Sequence, residues 1–283
     1  MTPRVLSALL LALMAAPVRA EDGQRIVTLG GSVTEIAVAL GAGDRLVARD
    51  TTSNWPESVL ALPDVGYIRA LSPEGVLSVS PDLIIAEGDA GPVEAVDVLK
   101  AAGVHFLLMP EAASADALPA KIIAVGDALG LPDQAAALSA QVKSGLSDAT
   151  ARAATVPTKS RALFILSLQG GRVMAGGEGT EAEGIITLAG AENAGTGFQG
   201  YKQMTDEAVI AAAPDVIVVM DREGDLAIMD ADILAHPALA ETPAGKSGRI
   251  IRMDGMLLLG FGPRTPDAAR QLFDAIYAGG TNG

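Results

Sequence analysis

The 283-residue chain contains no cysteine. This excludes disulfides, thiol nucleophiles and cysteine-ligated metals, and it leaves no cysteine to carry a lipid anchor. Histidine is nearly absent too, with only His105 and His236, so a zinc or manganese site built from several imidazoles is not expected. Aromatic residues are scarce: three tyrosines, one tryptophan and five phenylalanines. Basic residues are outnumbered, 20 Lys and Arg against 34 Asp and Glu, for a formal net charge of −14. That balance argues against nucleic acid and anionic lipid surfaces as partners and leaves room for a basic protein partner. Long apolar runs are missing as well. None approaches the roughly twenty residues that a membrane span needs.

The first twenty residues, MTPRVLSALLLALMAAPVRA, read as a cleavable secretory signal peptide. Arg4 supplies the positive end, Val5 to Ala16 the apolar run, and Val18 and Ala20 the small residues before the cut. The mature chain is expected to start at Glu21, and losing Arg4 and Arg19 takes its net charge to −16. With 49% hydrophobic residues, this exported and soluble chain can bury one large core or two.

Short apolar runs alternate with alanine-rich helical segments. The runs are RIVTL (25–29), LVAR (46–49), LIIAE (83–87), HFLLM (105–109), RALFILSL (161–168), DVIVVM (215–220) and GRIIRM (248–253). Continuous apolar strands spaced by helices predict mainly parallel sheets covered on both faces, an α/β fold. An internal repeat supports two lobes. LSPEGVLSVSPDLIIA (71–86) aligns without a gap on MTDEAVIAAAPDVIVV (204–219), putting Glu74 on Glu207, Val76 on Val209, Pro81 on Pro214 and Asp82 on Asp215. One residue out of that register, Gly66-Tyr67 matches Gly200-Tyr201, and TEIAVALGAG (34–43) weakly echoes AEGIITLAGA (182–191). Between the copies, Leu138, Val142, Leu146, Ala149 and Ala153 keep helical spacing after Leu131-Pro132. A helix of about 22 residues spans roughly 33 Å, enough to run along two lobes. The expected layout is a lobe over 21–132, a bridging helix over 133–156 and a second lobe over 157–283.

Catalytic motifs do not assemble. LGGSVTE lacks the second glycine of a nucleophile elbow. ETPAGKSG has Ala240 where a phosphate loop needs its first glycine and leads into a strand, and GGEGTEAEG carries carboxylates where a phosphate cradle wants positive potential. An exported α/β enzyme is only a remote alternative. Tyr67 and Arg69, in VGYIRALSPEG, raise a different chemistry. Residues i and i+2 of an extended segment point the same way, so the guanidinium can lie beside the phenol. Tyrosine ionises near pH 10, and a phenolate at neutral pH costs about 4 kcal/mol. A guanidinium reduces that cost and a trivalent cation reduces it further; tyrosinate is an axial ligand of haem iron in some proteins. From the pair alone, a tyrosine packing its ring in a loop stays an alternative.

GYIRALSPEGVLSVSPDLIIA, the GTEAEG to VIVV segment (179–219) and RMDGMLLLGFGPRTP (252–266) resemble the haem-binding periplasmic proteins of bacterial haem ABC importers. These belong to the class III substrate-binding proteins, together with siderophore and corrinoid binders. The resemblance runs from Arg25 to about Tyr277, and GYIRALS and LLLGFGPRTP are its haem-specific parts. It implies two Rossmann-like lobes joined by one long helix, haem in the cleft between them, and Tyr67 as the iron ligand with Arg69 beside it, either hydrogen-bonding the phenolate or pairing with a propionate. It also implies that Glu74 and Glu207 meet an inner-membrane ABC permease and its ATPase, one glutamate from each lobe. Around the haem, the candidates are Tyr201, Arg172, Met174, Arg252, Met253 and Met256, with Arg264 as a further propionate partner or a helix cap. Some relatives carry a histidine where this chain reads LSLQGGRVMAGG, so one ferric haem is expected, held through Tyr67, with Met174 or water as a weak sixth ligand. A free periplasmic monomer that changes shape little on binding is the resulting expectation. A ferric siderophore or corrinoid binder is the alternative within the fold.

Overall fold

Ten strands form from these sequences in a computed structural model, which describes residues 23–110, 112–222 and 227–277. The expected signal peptide lies outside the described residues. In chain order the strands are β1 (Ile26–Leu29), β2 (Leu46–Arg49), β3 (Leu83–Ala86), β4 (His105–Leu108), β5 (Arg161–Ser167), β6 (Val173–Gly176), β7 (Glu192–Asn193), β8 (Tyr201–Met204), β9 (Val216–Asp221) and β10 (Ile250–Asp254). All seven apolar runs are strands. The first four make a wholly parallel sheet in the order β2-β1-β3-β4. The second sheet runs β10-β9-β5-β6-β8, with β7 beside β5. Its β10, β9, β5 and β7 are parallel, while β6 runs antiparallel to both β5 and β8. β6, β7 and β8 have no counterpart among the apolar runs. VMAG is short and small, and YKQM carries polar residues on an edge, so neither leaves the signature of a buried strand.

Strand alternation divides the apolar residues among three clusters. Val27, Leu29, Ile84 and Ala86 face the outer side of the first sheet, and Leu163, Ile165, Ile217 and Val219 the outer side of the second. Ile26, Ile85, Phe164, Val216 and Val218 face inward, into one core shared by both lobes and the helices between them. Fully buried Phe164 is among its largest side chains.

The internal repeat survives to the level of single hydrogen bonds. Ser72 and Thr205 each cap a helix by accepting from the backbone N–H three residues on, at Gly75 and Ala208. Ser80 and Ala213 occupy the same left-handed corner, with φ of 48° and 41°. Asp82 and Asp215 then accept from the backbone N–H of Arg25 (2.9 Å) and Arg161 (2.8 Å) at the start of the neighbouring strands. Their arginines reach back to cover carbonyls of that corner, at Ser80 and Ala212, each at 3.0 Å.

Between the two sheets runs the helix Pro132–Ala153, 22 residues long, opened by proline at its first position. It starts one residue before the expected 133 and ends short of 156. The helix packs on Leu118–Leu129 before it and on Glu181–Leu188 and Thr265–Tyr277 after it, so it touches helices attached to both sheets.

A second link joins the lobes directly. Arg264, expected near a propionate or as a helix cap, stands at the start of the helix Thr265–Tyr277, where its carbonyl accepts from the Ala268 N–H at 3.0 Å, and its side chain reaches Glu35 in the helix Gly31–Ala39. Nε and Nη2 sit 3.0 and 2.9 Å from Oε2, and the Arg264 backbone N–H donates to Oε1 at 3.1 Å. Glu35 is 8% exposed, and Trp55 stacks on the guanidinium with Cζ 4.4 Å from the ring centroid. Removing one partner of such a pair strands a buried charge. Glu35→Ala is therefore expected to lower stability by about 3 kcal/mol in urea denaturation, whereas a loss below about 0.5 kcal/mol would mean the pair is solvent-screened. With a shared core and a continuous helix, the lobes should also move little on loading. Small-angle scattering of empty and loaded protein should give superimposable curves, and a large decrease in radius of gyration would contradict this.

Candidate functional site

Ligands of open parallel sheets collect outside the carboxyl ends of the strands, where the loops leave. Here both sheets turn those ends towards one cleft of about 630 Å³. Asn54 enters after β2, Glu87 and Asp89 after β3, Arg222 after β9 and Met256 after β10.

Tyr67 comes from the first lobe. Its backbone is extended (φ −79°, ψ 131°), and Ile68–Ala70 then closes a 3-10 turn. Ile68, buried at 2%, anchors that turn and leaves the Tyr67 ring 43% exposed at the cleft. A tight turn, rather than the alternation of a strand, brings Arg69 back over the phenol. Its Nη1 donates to Tyr67 Oη at 2.8 Å, with Cζ 5.8 Å from the ring centroid. Arg69 Nη2 pairs with Asp89. Burial pulls the guanidinium pKa down, but the bond to Tyr67 and the charge of Asp89 outweigh it, so Arg69 is held above the ordinary arginine value.

Tyr201 faces the same cleft from the second lobe, at the start of β8. Its Oη donates to Glu181 Oε2 at 3.1 Å, and its ring meets Phe164 edge-on at 6.3 Å. Burial first, and then the Glu181 charge and hydrogen bond, push this phenol well above 10.0. The two tyrosines thus have different chemistry. Tyr67 sits under a cation, and Tyr201 is kept neutral as a donor.

Met256 lines the cleft, and its terminal methyl lies so close to Gly31 of the other lobe that any side chain there would collide with it. The remaining candidates lie elsewhere. Arg252 bonds Asp230 (Nε to Oδ1, 2.9 Å) and the Ile228 carbonyl, while Met253, on the opposite face of β10, is buried in the shared core. Arg172 is exposed in the turn before β6 and Met174 is half-buried on β6, and neither is among the residues that form the cleft wall. Glu74 and Glu207 both lie exposed in the first turns of their helices, as the repeat requires. Backbone N–H and Thr205 hydroxyl hydrogen bonds hold Glu207 below the usual carboxylate range. His105 is exposed on β4, and His236 caps a helix, accepting from the Leu239 N–H.

Sequence reading missed several cleft residues. Lys121 is 3% exposed, with Nζ 3.5 Å from Glu87 Oε1 and in contact with the Ser32 hydroxyl. Glu87 Oε1 also accepts from the Ser32 N–H at 3.1 Å, and Gly30 (φ 113°) leaves the room that the carboxylate occupies. Glu87 and Arg222 could have been found, since Glu87 closes the run LIIAE and Arg222 lies two residues beyond DVIVVM, at strand ends that must face the cleft.

Residues 26–257 match the periplasmic binding protein family. The chain belongs to that family. Among curated relatives, an uncharacterized ABC transporter substrate-binding lipoprotein, YvrC of Bacillus subtilis, is 30% identical over 260 residues, covering 91% of this chain and 81% of that one. A vitamin B12-binding protein of Yersinia pestis is 28% identical over 218 residues, 77% and 76% of the two chains. Solved structures are more similar. The periplasmic heme-binding protein BhuT, in complex with two hemes, is 40% identical with a TM-score of 0.83, over 89% of this chain and 99% of that one. The periplasmic heme-binding protein RhuT from Roseiflexus sp. RS-1, in apo form, is 38% identical with a TM-score of 0.86, over 90% and 98%.

The raised Tyr201 pKa has a pH consequence. A folded-state value above the unfolded one gives stability that is complete below pH 10 and is lost as pH rises through the folded value. Denaturation midpoints should therefore begin to fall above about pH 10 in the wild type, and Tyr201→Phe should lessen that fall. Equal alkaline slopes in the two proteins would show that the phenol ionises as readily folded as unfolded.

Proposed function

We propose that this protein captures haem in the interlobe cleft and delivers it to an inner-membrane ABC permease driven by its ATPase. The observation that carries the reading is a phenol held open to the cleft with a guanidinium donating to its oxygen. A tyrosine oxygen presented to the cleft in this way can serve as a ligand of haem iron. Tyr67 is the axial ligand, Arg69 its hydrogen-bond donor, and Arg222 a cation within reach of a propionate. Met256, Leu166 and Leu259 supply apolar contact to the macrocycle, and Tyr201, whose hydroxyl proton is given to Glu181, borders it with its ring. The similarity to BhuT and RhuT supports this cargo. The protein is a binding protein and not an enzyme. It works in the periplasm as a monomer without a lipid anchor, which its lack of cysteine supports. The lobes are 21–132 and 157–283, with the long helix as the strut between them. A corrinoid or ferric siderophore is the second reading, supported by the B12-binding relative. It leaves the Tyr67–Arg69 pair without a task.

Titration of residues 21–283 with hemin, followed by absorbance, should break at one equivalent with a phenolate charge-transfer band. Tyr67→Phe should lose that band and at least about tenfold in affinity. Identical titrations would put the iron elsewhere, and failure of both proteins to bind would favour the second reading.

Glu74 and Glu207 dock on basic side chains of the two permease subunits, equivalent positions on two lobes facing a two-fold partner. The double variant Glu74→Arg, Glu207→Arg should keep the hemin titration unchanged and abolish haem-stimulated ATPase activity in permease proteoliposomes. Stimulation at the wild-type level would remove both residues from the docking surface.

A further inference from the structure

The Tyr67–Arg69 pair is not complete by itself. Arg69 reaches the phenol with Nη1 only, and its Nη2 is held by Asp89. Asp89 lies on the loop that leaves β3 at the cleft, twenty residues along the chain. Two backbone hydrogen bonds zip this loop to the turn that carries the tyrosine: Gly91 N–H to the Ile68 carbonyl at 2.9 Å, and Leu71 N–H to the Gly91 carbonyl at 2.8 Å. A third, from Ala90 N–H to the Glu87 carbonyl at 3.1 Å, closes the loop on itself. The carboxylate is thus placed by backbone and has little freedom to leave Arg69. Its second oxygen, Oδ1, is buried with no hydrogen-bond donor among the described residues, so its charge is directed at the guanidinium. Both partners line the cleft, where water is displaced when cargo enters.

We infer that Asp89 is a positioning residue for the iron-binding phenolate: it fixes Arg69 over Tyr67 and offsets the guanidinium charge there. This rests on the haem reading above. Without Asp89 the full cation would face the phenolate oxygen, draw electron density from it and weaken its donation to iron. With Asp89 in place, Arg69 acts as an oriented hydrogen-bond donor of reduced net charge. The Tyr67 oxygen then keeps its donation to iron, which favours the ferric over the ferrous state. The other titratable or charged cleft groups, Glu87, Lys121, Glu181, Tyr201, Asp221, Arg222 and Asp254, are common to both states and do not replace this contact.

The test is redox titration of the hemin-loaded protein beside Asp89→Asn and Asp89→Glu. Asparagine keeps an acceptor for Nη2 and removes the charge. Asp89→Asn should still bind hemin through Tyr67, with a displaced charge-transfer band. Its ferric-to-ferrous affinity ratio should fall about tenfold, a rise of 59 mV for one electron. Asp89→Glu should restore most of the wild-type potential, which a purely structural role would not predict for the longer side chain. An unchanged potential and band in Asp89→Asn, with Tyr67 still bound, would overturn the inference while leaving the haem reading intact. A second measurement needs no haem. In the cargo-free protein, ¹⁵N relaxation at Arg69 Nε should report an ordered side chain in the wild type and a mobile one in Asp89→Ala. Equal order in the two would overturn the positioning role. If wild-type protein fails to take up hemin, the haem reading falls by itself, and the relaxation result still decides whether Asp89 holds Arg69.

Discussion

Glu35 and Arg264 fix the register of the two sheets beside the cleft, above a hydrophobic core that both lobes share. The long helix fixes their spacing at one end, and the ion pair, covered by Trp55, fixes it beside the cleft. A hydrophobic contact could supply as much adhesion, but it would tolerate sliding. An arginine that meets one carboxylate with Nε, Nη2 and its own backbone N–H specifies both distance and orientation. The close approach of Met256 to Gly31 depends on that registration. So does the facing of Tyr67 and Tyr201 across the gap.

Charge within the cleft is arranged in local pairs. Arg69 is shared between a phenol and Asp89, Lys121 between Glu87 and Ser32, and the Glu181 carboxylate is met by the Tyr201 hydroxyl. Such pairing leaves few bare charges when cargo covers the cleft, Asp89 Oδ1 being an exception among the described residues. Three cations, Arg69, Lys121 and Arg222, line the cleft among five carboxylates, Glu87, Asp89, Glu181, Asp221 and Asp254, so the local placement of each cation, and not the net charge, decides where an anionic group can be met.

The legible parts of the sequence were those with short-range physical signatures. β1, β3, β5 and β9 are buried on both faces and leave continuous apolar runs, and the edge strands β2, β4 and β10 are apolar enough to read the same way, so seven of ten could be read directly. The repeat was readable because its cap, corner and strand-start contacts constrain residue type at fixed offsets. Tyr67 and Arg69 were readable because they are two residues apart. β6 to β8 were not, since short antiparallel strands with glycine and polar residues resemble loops. Arg252 and Met253 show the limit of a linear reading. They are neighbours on β10, yet the pleat sends one to Asp230 and the other into the core. Lys121 meets a partner 89 residues away, a pairing that no local pattern announces.

The same scarcity of aromatics that limits ring contacts to the macrocycle makes the molecule report on itself. Trp55 is the single tryptophan, and it adjoins cleft-lining Asn54. Its indole is 47% exposed and held in one orientation by Arg264. A strongly absorbing macrocycle in the cleft would accept its excitation energy across a short distance. One natural fluorophore therefore stands at the rim of the cleft, and its emission reads out occupancy without any label.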